Sequence, residues 1–251
     1  PLNNAGTGHA ANCELNYTPL KDDGTVDVSK AISINLAYER SLEFWASLKQ
    51  DSNIEPSKFL NRVPHISFVS GQNDIAFLKK RYEKLLSFPA FSLMEWSTDF
   101  HELSEWMPLV IEGRSASVPI AATRVERGTD VDFGALTSSY LETLQKKGNL
   151  NLSCNTEVIN LFRRSDLLWQ LELRSFKGSR SVHTPFVFLG AGGGALPLLQ
   201  RSGIPESRLY AGFPVSGQWL VCSDENLSKR HFAKVYGKAK LGAPPMSMPH
   251  L

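Results

Sequence analysis

The chain has 251 residues, enough for one large domain or two smaller ones, and its 42% hydrophobic and 21% charged content is ordinary for a soluble globular protein. A net charge of +2 gives no field that argues for nucleic acid. Three scattered cysteines (Cys13, Cys154, Cys222) exclude a zinc cluster or disulfide framework and fit a reducing compartment, no run approaches ~18 apolar residues, and no signal-peptide pattern is visible.

The chain opens on Pro1 in a polar loop and closes on a proline-rich segment, Pro249-His250-Leu251. These ends predict an internal piece of a longer protein, with a processed mature chain as the alternative. Residues 1–19, PLNNAGTGHAANCELNYTP, begin with turn formers and allow a short helix from Ala10 to Leu15. His9 sits at that boundary, as a capping or surface histidine or as a catalytic one. KDDGT at 21–25 is a turn. From Val28 to Gln50, Ile34, Ala37, Tyr38, Trp45 and Leu48 recur on one face and predict an amphipathic helix, with Phe44 and Trp45 in the core.

VPHISFVS at 63–70 predicts a strand. His65, Ser67 and Val69 share one face, Ile66 and Phe68 the other. His65 is then a satisfied structural group or looks into a pocket. Asn73 or Asp74 caps a second helix carrying Ile75, Leu78, Tyr82 and Leu85, with Lys79, Lys80, Arg81 and Lys84 on its solvated face. A strand at Ser92–Ser97 and a helix at Asp99–Trp106 follow. Arg124 alternates in a strand-like run and either forks onto a carboxylate or sits in a surface ion pair.

Phe133, Leu136, Tyr140 and Leu144 stripe a further helix, closed by Lys146-Lys147-Gly148. Strands at Asn151–Ser153, Thr156–Arg163 and Leu168–Arg174, with Ser181–Thr184 as a fourth, make a short meander. Phe186–Leu189 has the length and composition of a buried parallel strand. It runs into Gly190-Ala191-Gly192-Gly193-Gly194 and a short helix from Ala195 to Gln200. Such a turn is an anion site, and Gly190, Gly192 and Ala195 fit G-x-G-x-x-G/A. No acidic strand end follows ~20 residues on, so the turn is either a dinucleotide contact or the glycine turn of another α/β fold. Strand segments at Gly217–Cys222 and Phe232–Tyr236 come last. Arg230, His231, Lys234, Lys238 and Lys240 make this end basic, as a solvated face or as a guide for an anionic substrate.

Several stretches are specific together: NNAGTGH with ELNYTP at 3–19, VPHISFV at 63–69, ATRVERGTDVDFGALT at 122–137, FVFLGAGGGALPLLQRSGIPE at 186–206, AGFPVSGQWLV at 211–221 and KVYGKAKLGAPPMSMPH at 234–250. In this order the sequence resembles bacterial malate:quinone oxidoreductase across essentially the whole chain. The resemblance implies a mixed α/β (α+β) fold of the D-amino-acid-oxidase-like type, an incomplete two-domain flavoprotein with a Rossmann-like FAD domain and an antiparallel-sheet substrate domain. On that pattern, 1–60 and 126–206 belong to the FAD domain, and 61–125 and 207–251 to the substrate domain. It further implies FAD as cofactor, oxidation of (S)-malate to oxaloacetate in the tricarboxylic acid cycle, and transfer of electrons to membrane quinone. Peripheral association with the cytoplasmic face of the bacterial cell membrane is implied as well. The opening GxGxxG and the C-terminal segment over the flavin are missing, so the isolated piece is expected to be inactive. By similarity, Thr7, Gly8 and His9 lie by the flavin, Val158 meets the adenine through its backbone, and Gly190, Ala191, Gly192 and Gly193 approach the pyrophosphate or ribose.

Oxidation of a 2-hydroxy acid needs a base for the hydroxyl proton, a hydride acceptor, and groups that hold carboxylates in register. His65, His250 and His9 are candidate bases, Arg124 and Lys238 candidate carboxylate ligands, and Tyr236 a candidate donor; no metal is called for. Oxidation of another 2-hydroxy acid such as L-2-hydroxyglutarate, or a non-catalytic fragment, are the alternatives.

Overall fold

The apolar-striped segment after Asp27 folds as α1 (Ser29–Ser52), the Ser29 amide donating to the Asp27 carboxylate at 2.9 Å. The computed structural model describes residues 4, 6–52, 54–148, 150–214, 220–239 and 249–251. The fold is mixed α/β and divides into two units, Pro1–Asn149 with Val221–Leu251, and Leu150–Leu220.

In the first unit α1 is followed by β1 (Leu60–Arg62), β2 (His65–Ser70), α2 (Gln72–Leu86), β3 (Glu95–Ser97), α3 (Phe100–Trp106), α4 (Pro108–Ile111), β4 (Ile120–Val125), β5 (Thr129–Val131) and α5 (Phe133–Lys146). Its main sheet has the order β3-β4-β2, all antiparallel. A fourth strand from the far end of the sequence lies parallel beside β2, pairing Ser67 with Tyr236. β2 and β4 are buried on both faces, as central strands between helical layers must be. On one face Phe77, Leu78 and Leu85 of α2 pack with Val69, Ala121 and Val125. On the other, Leu103 and Trp106 of α3, Met107 between the helices and Ile111 of α4 cover Ile66, Phe68 and Ala122. A third cluster joins Trp45 of α1, Phe59, Val131 and Leu136 of α5.

The local signals were partly misleading. Residues 11–13 form bends, not a helix, and only a 3-10 turn at Leu15–Tyr17 follows. Phe44 is exposed, one position off the buried stripe that holds Trp45. Neither Asn73 nor Asp74 caps α2. The cap is Gly71, whose φ of 92° favours glycine, and no side chain bonds the helix amides. Arg81 lies in the buried stripe of α2, not on the solvated face, and is 0% exposed. Asp99 and Asp132 do cap their helices, accepting from the amides of Glu102 and Ala135 at 2.8 Å.

The second unit is an antiparallel meander, β6 (Thr156–Arg163), β7 (Trp169–Ser175) and β8 (Gly178–Thr184), followed by α6 (Ala195–Arg201). Residues 151–153 are not a strand. A bulge between Val158 and Asn160 turns the Ile159 carbonyl out of the ladder, and Arg201 Nη1 donates to it at 2.7 Å, fastening α6 to β6. Residues 186–189 form no strand: Phe186 and Phe188 are 74% and 84% exposed. A buried parallel strand needs a partner strand and layers on both faces, and none of the described residues pairs with this segment. Returning to the first unit, the chain forms α7 (Glu225–Ser228) and then β9 (Lys234–Gly237), the parallel fourth strand. Of the expected strand at Gly217–Cys222, residues 220–222 are not strand and 217–219 lie outside the described residues, as does Lys240.

Candidate functional site

The loop at 6–9 is bound edge-on to β5. Val131 N–H donates to Gly6 O at 2.5 Å, Gly8 N–H to Thr129 O at 2.9 Å, and Thr7 bridges Asp130. A Cβ on Gly8 would overlap the Thr129 hydroxyl and crowd Tyr38 Oη, so glycine is needed here for packing between loop, strand and α1. The next residues are clamped from three elements. Asn35 of α1 donates to Ala10 O at 3.0 Å, and Ser67 of β2 to Cys13 O at 3.1 Å. Arg81 of α2 donates to Ala11 O, Asn12 O and Thr18 Oγ1 at 3.0, 3.1 and 3.0 Å. Ala11 is held at φ 59°, a left-handed conformation that costs about 1–2 kcal/mol for a residue with a Cβ. These bonds to a guanidinium offset that strain. Burial pulls the Arg81 pKa down to about 10, still charged at neutral pH.

This scaffold presents His9. Its Nδ1 lies 2.6 Å from Oε1 of Glu14, whose side chain is 2% exposed while that of His9 is 51% exposed. Burial pushes the Glu14 carboxyl up, but His9, a backbone hydrogen bond and His65 together oppose it, and the net shift is downward. Beside His9, Tyr236 Oη meets Thr7 Oγ1 at 3.0 Å. Burial pushes the Tyr236 hydroxyl up to about 12, so it stays protonated. The ring of Tyr236 stacks on His250, centroids 4.9 Å apart. On the same strand Lys234 pairs with Asp130 at 3.0 Å. Thr7, Gly8, His9, Tyr38 and Trp45 line an open, mainly apolar groove of about 320 Å³.

The other expected residues fall in three places. His250 and Lys238 line a cavity of about 420 Å³ at the C-terminal ends of β2 and β9, where Lys238 pairs with Asp74 at 2.5 Å. His65 is fully buried, its Nε2 engaged by the Thr129 backbone. Arg124 is not brought to this group. It pairs across the sheet with Ile66, on the face opposite His65 and Tyr236, where it bonds Glu126, pairs with Glu95 and covers Trp106. The surface ion pair weighed from the sequence is what the structure shows there.

In the second unit Gly190–Gly194 is exposed ahead of α6. Gly192 has φ +53°, and a Cβ on Gly192 or Gly193 would meet nothing within 4 Å, so the backbone there is open to a ligand. Val158, at the bulge of β6, belongs to the same unit.

Three residues escaped the sequence reading. Glu14 was hidden in a loop taken for helix, Arg81 by its three lysine neighbours, and Arg114, which also lines the cavity with Lys238, by its place after an apolar run. The i+3 spacing of Arg81 after Leu78 was the one available signal for the second.

A family model described as Malate:quinone oxidoreductase (Mqo) matches residues 1–251. The chain is 65% identical over 249 residues to a probable malate:quinone oxidoreductase of Prochlorococcus marinus (strain MIT 9313), covering 99% of this chain and 50% of that protein. Against the protein of the same description from Synechococcus sp. (strain RCC307), identity is 64%, covering 99% and 52%. The chain thus spans about half the length of the curated relatives it matches. Among solved structures, L-proline dehydrogenase from P.horikoshii superimposes with a TM-score of 0.52 at 15% identity, covering 91% of this chain and 54% of that one, a likeness of fold alone. With the family model matched from the first residue to the last, the chain belongs to the malate:quinone oxidoreductase family.

Proposed function

We propose that this chain is part of an FAD-dependent enzyme that oxidises (S)-malate to oxaloacetate and passes the electrons to a membrane quinone. The observation that carries the reading is the family match over residues 1–251, made at 65% identity to a relative named for that activity. The residues present fit the cofactor: the turn around Gly192 and Gly193 leaves backbone amides open where a Cβ would otherwise stand. Gly190, Ala191, Gly192, Gly193 and Val158 would hold its nucleotide part, and Thr7, Gly8 and His9 its ring. FAD, when bound, supplies the two-electron acceptor for the reaction. Residues 1–60 and 126–206 form the FAD-binding part, and 61–125 with 207–251 the substrate part.

His9 takes the hydroxyl proton of malate, because it is the histidine that is both exposed and paired with a buried carboxylate. Tyr236 donates a hydrogen bond, since its hydroxyl remains protonated. Lys238 and Arg114, which line one cavity with His250, are the cationic side chains there that can hold a carboxylate. No helix among the described residues is long and apolar enough to cross a membrane, and the enzyme reaches quinone by peripheral contact with the cytoplasmic face.

The test is turnover of the full-length enzyme with a short-chain quinone analogue, comparing (S)-malate with (S)-2-hydroxyglutarate. Faster kcat/KM for malate is expected. Preference for 2-hydroxyglutarate, or no bound flavin in the purified enzyme, would overturn the assignment.

A further inference from the structure

We infer that Glu14 is the positioning residue that fixes the tautomer and the aim of His9, on a loop that Arg81 holds rigid from inside the protein. The inference rests on the reading of His9 as the base. An ionised carboxylate can only accept hydrogen bonds, so at 2.6 Å from Glu14 Oε1 the Nδ1 of His9 must carry the hydrogen. That leaves the lone pair on Nε2, the nitrogen turned away from Glu14, on a ring that is half exposed. The second oxygen of Glu14 is turned inward and accepts the Cys13 amide at 3.3 Å, so the carboxylate cannot swing without breaking a backbone contact.

The loop cannot follow it either. Arg81 grips carbonyls at 11 and 12 on one side of Glu14 and the Thr18 hydroxyl on the other. Glu14 begins the 3-10 turn Leu15–Tyr17, and Thr18 N–H closes that turn on Leu15 O. The charged and titratable groups facing this carboxylate are Cys13 and Tyr17 on its own loop, Arg81 from α2, His65 from β2 and Tyr236 from β9. Arg81 is the one cation among them fixed in place with no water around it. A base whose proton sits on the inward nitrogen, with its partner locked by a second layer of bonds, is pre-set to accept a proton outward.

The experiment uses the full-length holoenzyme labelled with ¹⁵N-histidine, as wild type, Glu14→Gln, Glu14→Asp and His9→Asn, the last to assign the His9 signal. In the wild type the His9 ring is expected to carry its hydrogen on Nδ1. Glu14→Gln, whose amide both donates and accepts, mixes the two tautomers and lowers kcat about 10- to 100-fold. The KM for malate then stays within about threefold, because binding is not what the carboxylate provides. Glu14→Asp keeps an acceptor-only group and recovers the Nδ1–H signal with part of kcat. A Glu14→Gln enzyme with wild-type tautomer and kcat overturns the inference. Should that variant unfold, the wild-type signal decides: a hydrogen on Nε2 of His9 overturns it outright. Full activity in His9→Asn would instead remove His9 as the base, while the tautomer readout still reports on Glu14.

Discussion

The Nε2 atom of His65 lies 2.9 Å from the carbonyl oxygen and 3.1 Å from the amide nitrogen of Thr129, while its Nδ1 is buried without a partner. One ring nitrogen thus ties β2 of the main sheet to β5, the strand that carries the 6–8 loop. Burial lowers the His65 pKa, with the Thr129 bond only partly opposing it, and the ring is neutral in the fold.

Acid should therefore weaken the protein in two steps. Below about 6.5 the unfolded chain binds a proton at His65 that the folded chain refuses, so stability falls as pH drops from 6.5 toward the depressed folded value. Glu14 acts lower: its folded pKa is depressed, so its contribution is present above 4.5 and is lost as pH falls through the folded value. Urea midpoints of the full-length enzyme between pH 4 and 8, for wild type and His65→Asn, should show a smaller upper step in the variant, where the half-buried His231, its pKa also lowered by burial, still contributes.

Gly128 sits against the same histidine. A Cβ there would overlap the His65 ring and the Val63 carbonyl, which is backbone and cannot give way. Gly128→Ala should cost about 1–3 kcal/mol, read as a lower urea midpoint with unchanged slope.

Arg81→Met should destabilise by about 3 kcal/mol, since three buried acceptors lose a charged donor at once. Arg81→Lys keeps the charge but not the fork, and should fall between. The loop at 10–18 should become the first site of limited proteolysis in Arg81→Met, measured against wild type by mass spectrometry.

Gly193→Val separates folding from cofactor binding. Its Cβ meets nothing, so thermal stability of the flavin-free enzyme should be unchanged, while the ratio of flavin to protein absorbance after purification should fall severalfold. An unchanged ratio would remove this turn from the cofactor site.

What could be read from the sequence was what local pattern alone determines. The meander at 156–184 and the helices of α1, α2 and α5 all follow from periodicity. Segments whose state depends on distant partners were misread. Phe186–Leu189 has the composition of a strand but no neighbour to pair with among the described residues. Residues 10–13 have helical composition, yet Arg81, Asn35 and Ser67 take their carbonyls one by one. The candidate site divided in the same way: histidine and tyrosine could be named by chemistry, but their shared face depended on the register of β9 against β2, which no local signal encodes.

That register also dictates a timetable. On the ribosome, β2, β3 and β4 are made within one stretch of the chain, but β9 follows Val125 by about 110 residues, on the order of five to twenty seconds of translation. Until then the open edge of β2 has no occupant, and Thr7 waits for the hydroxyl of Tyr236. The half-built sheet is held by its antiparallel core alone until the late strand arrives to close its edge.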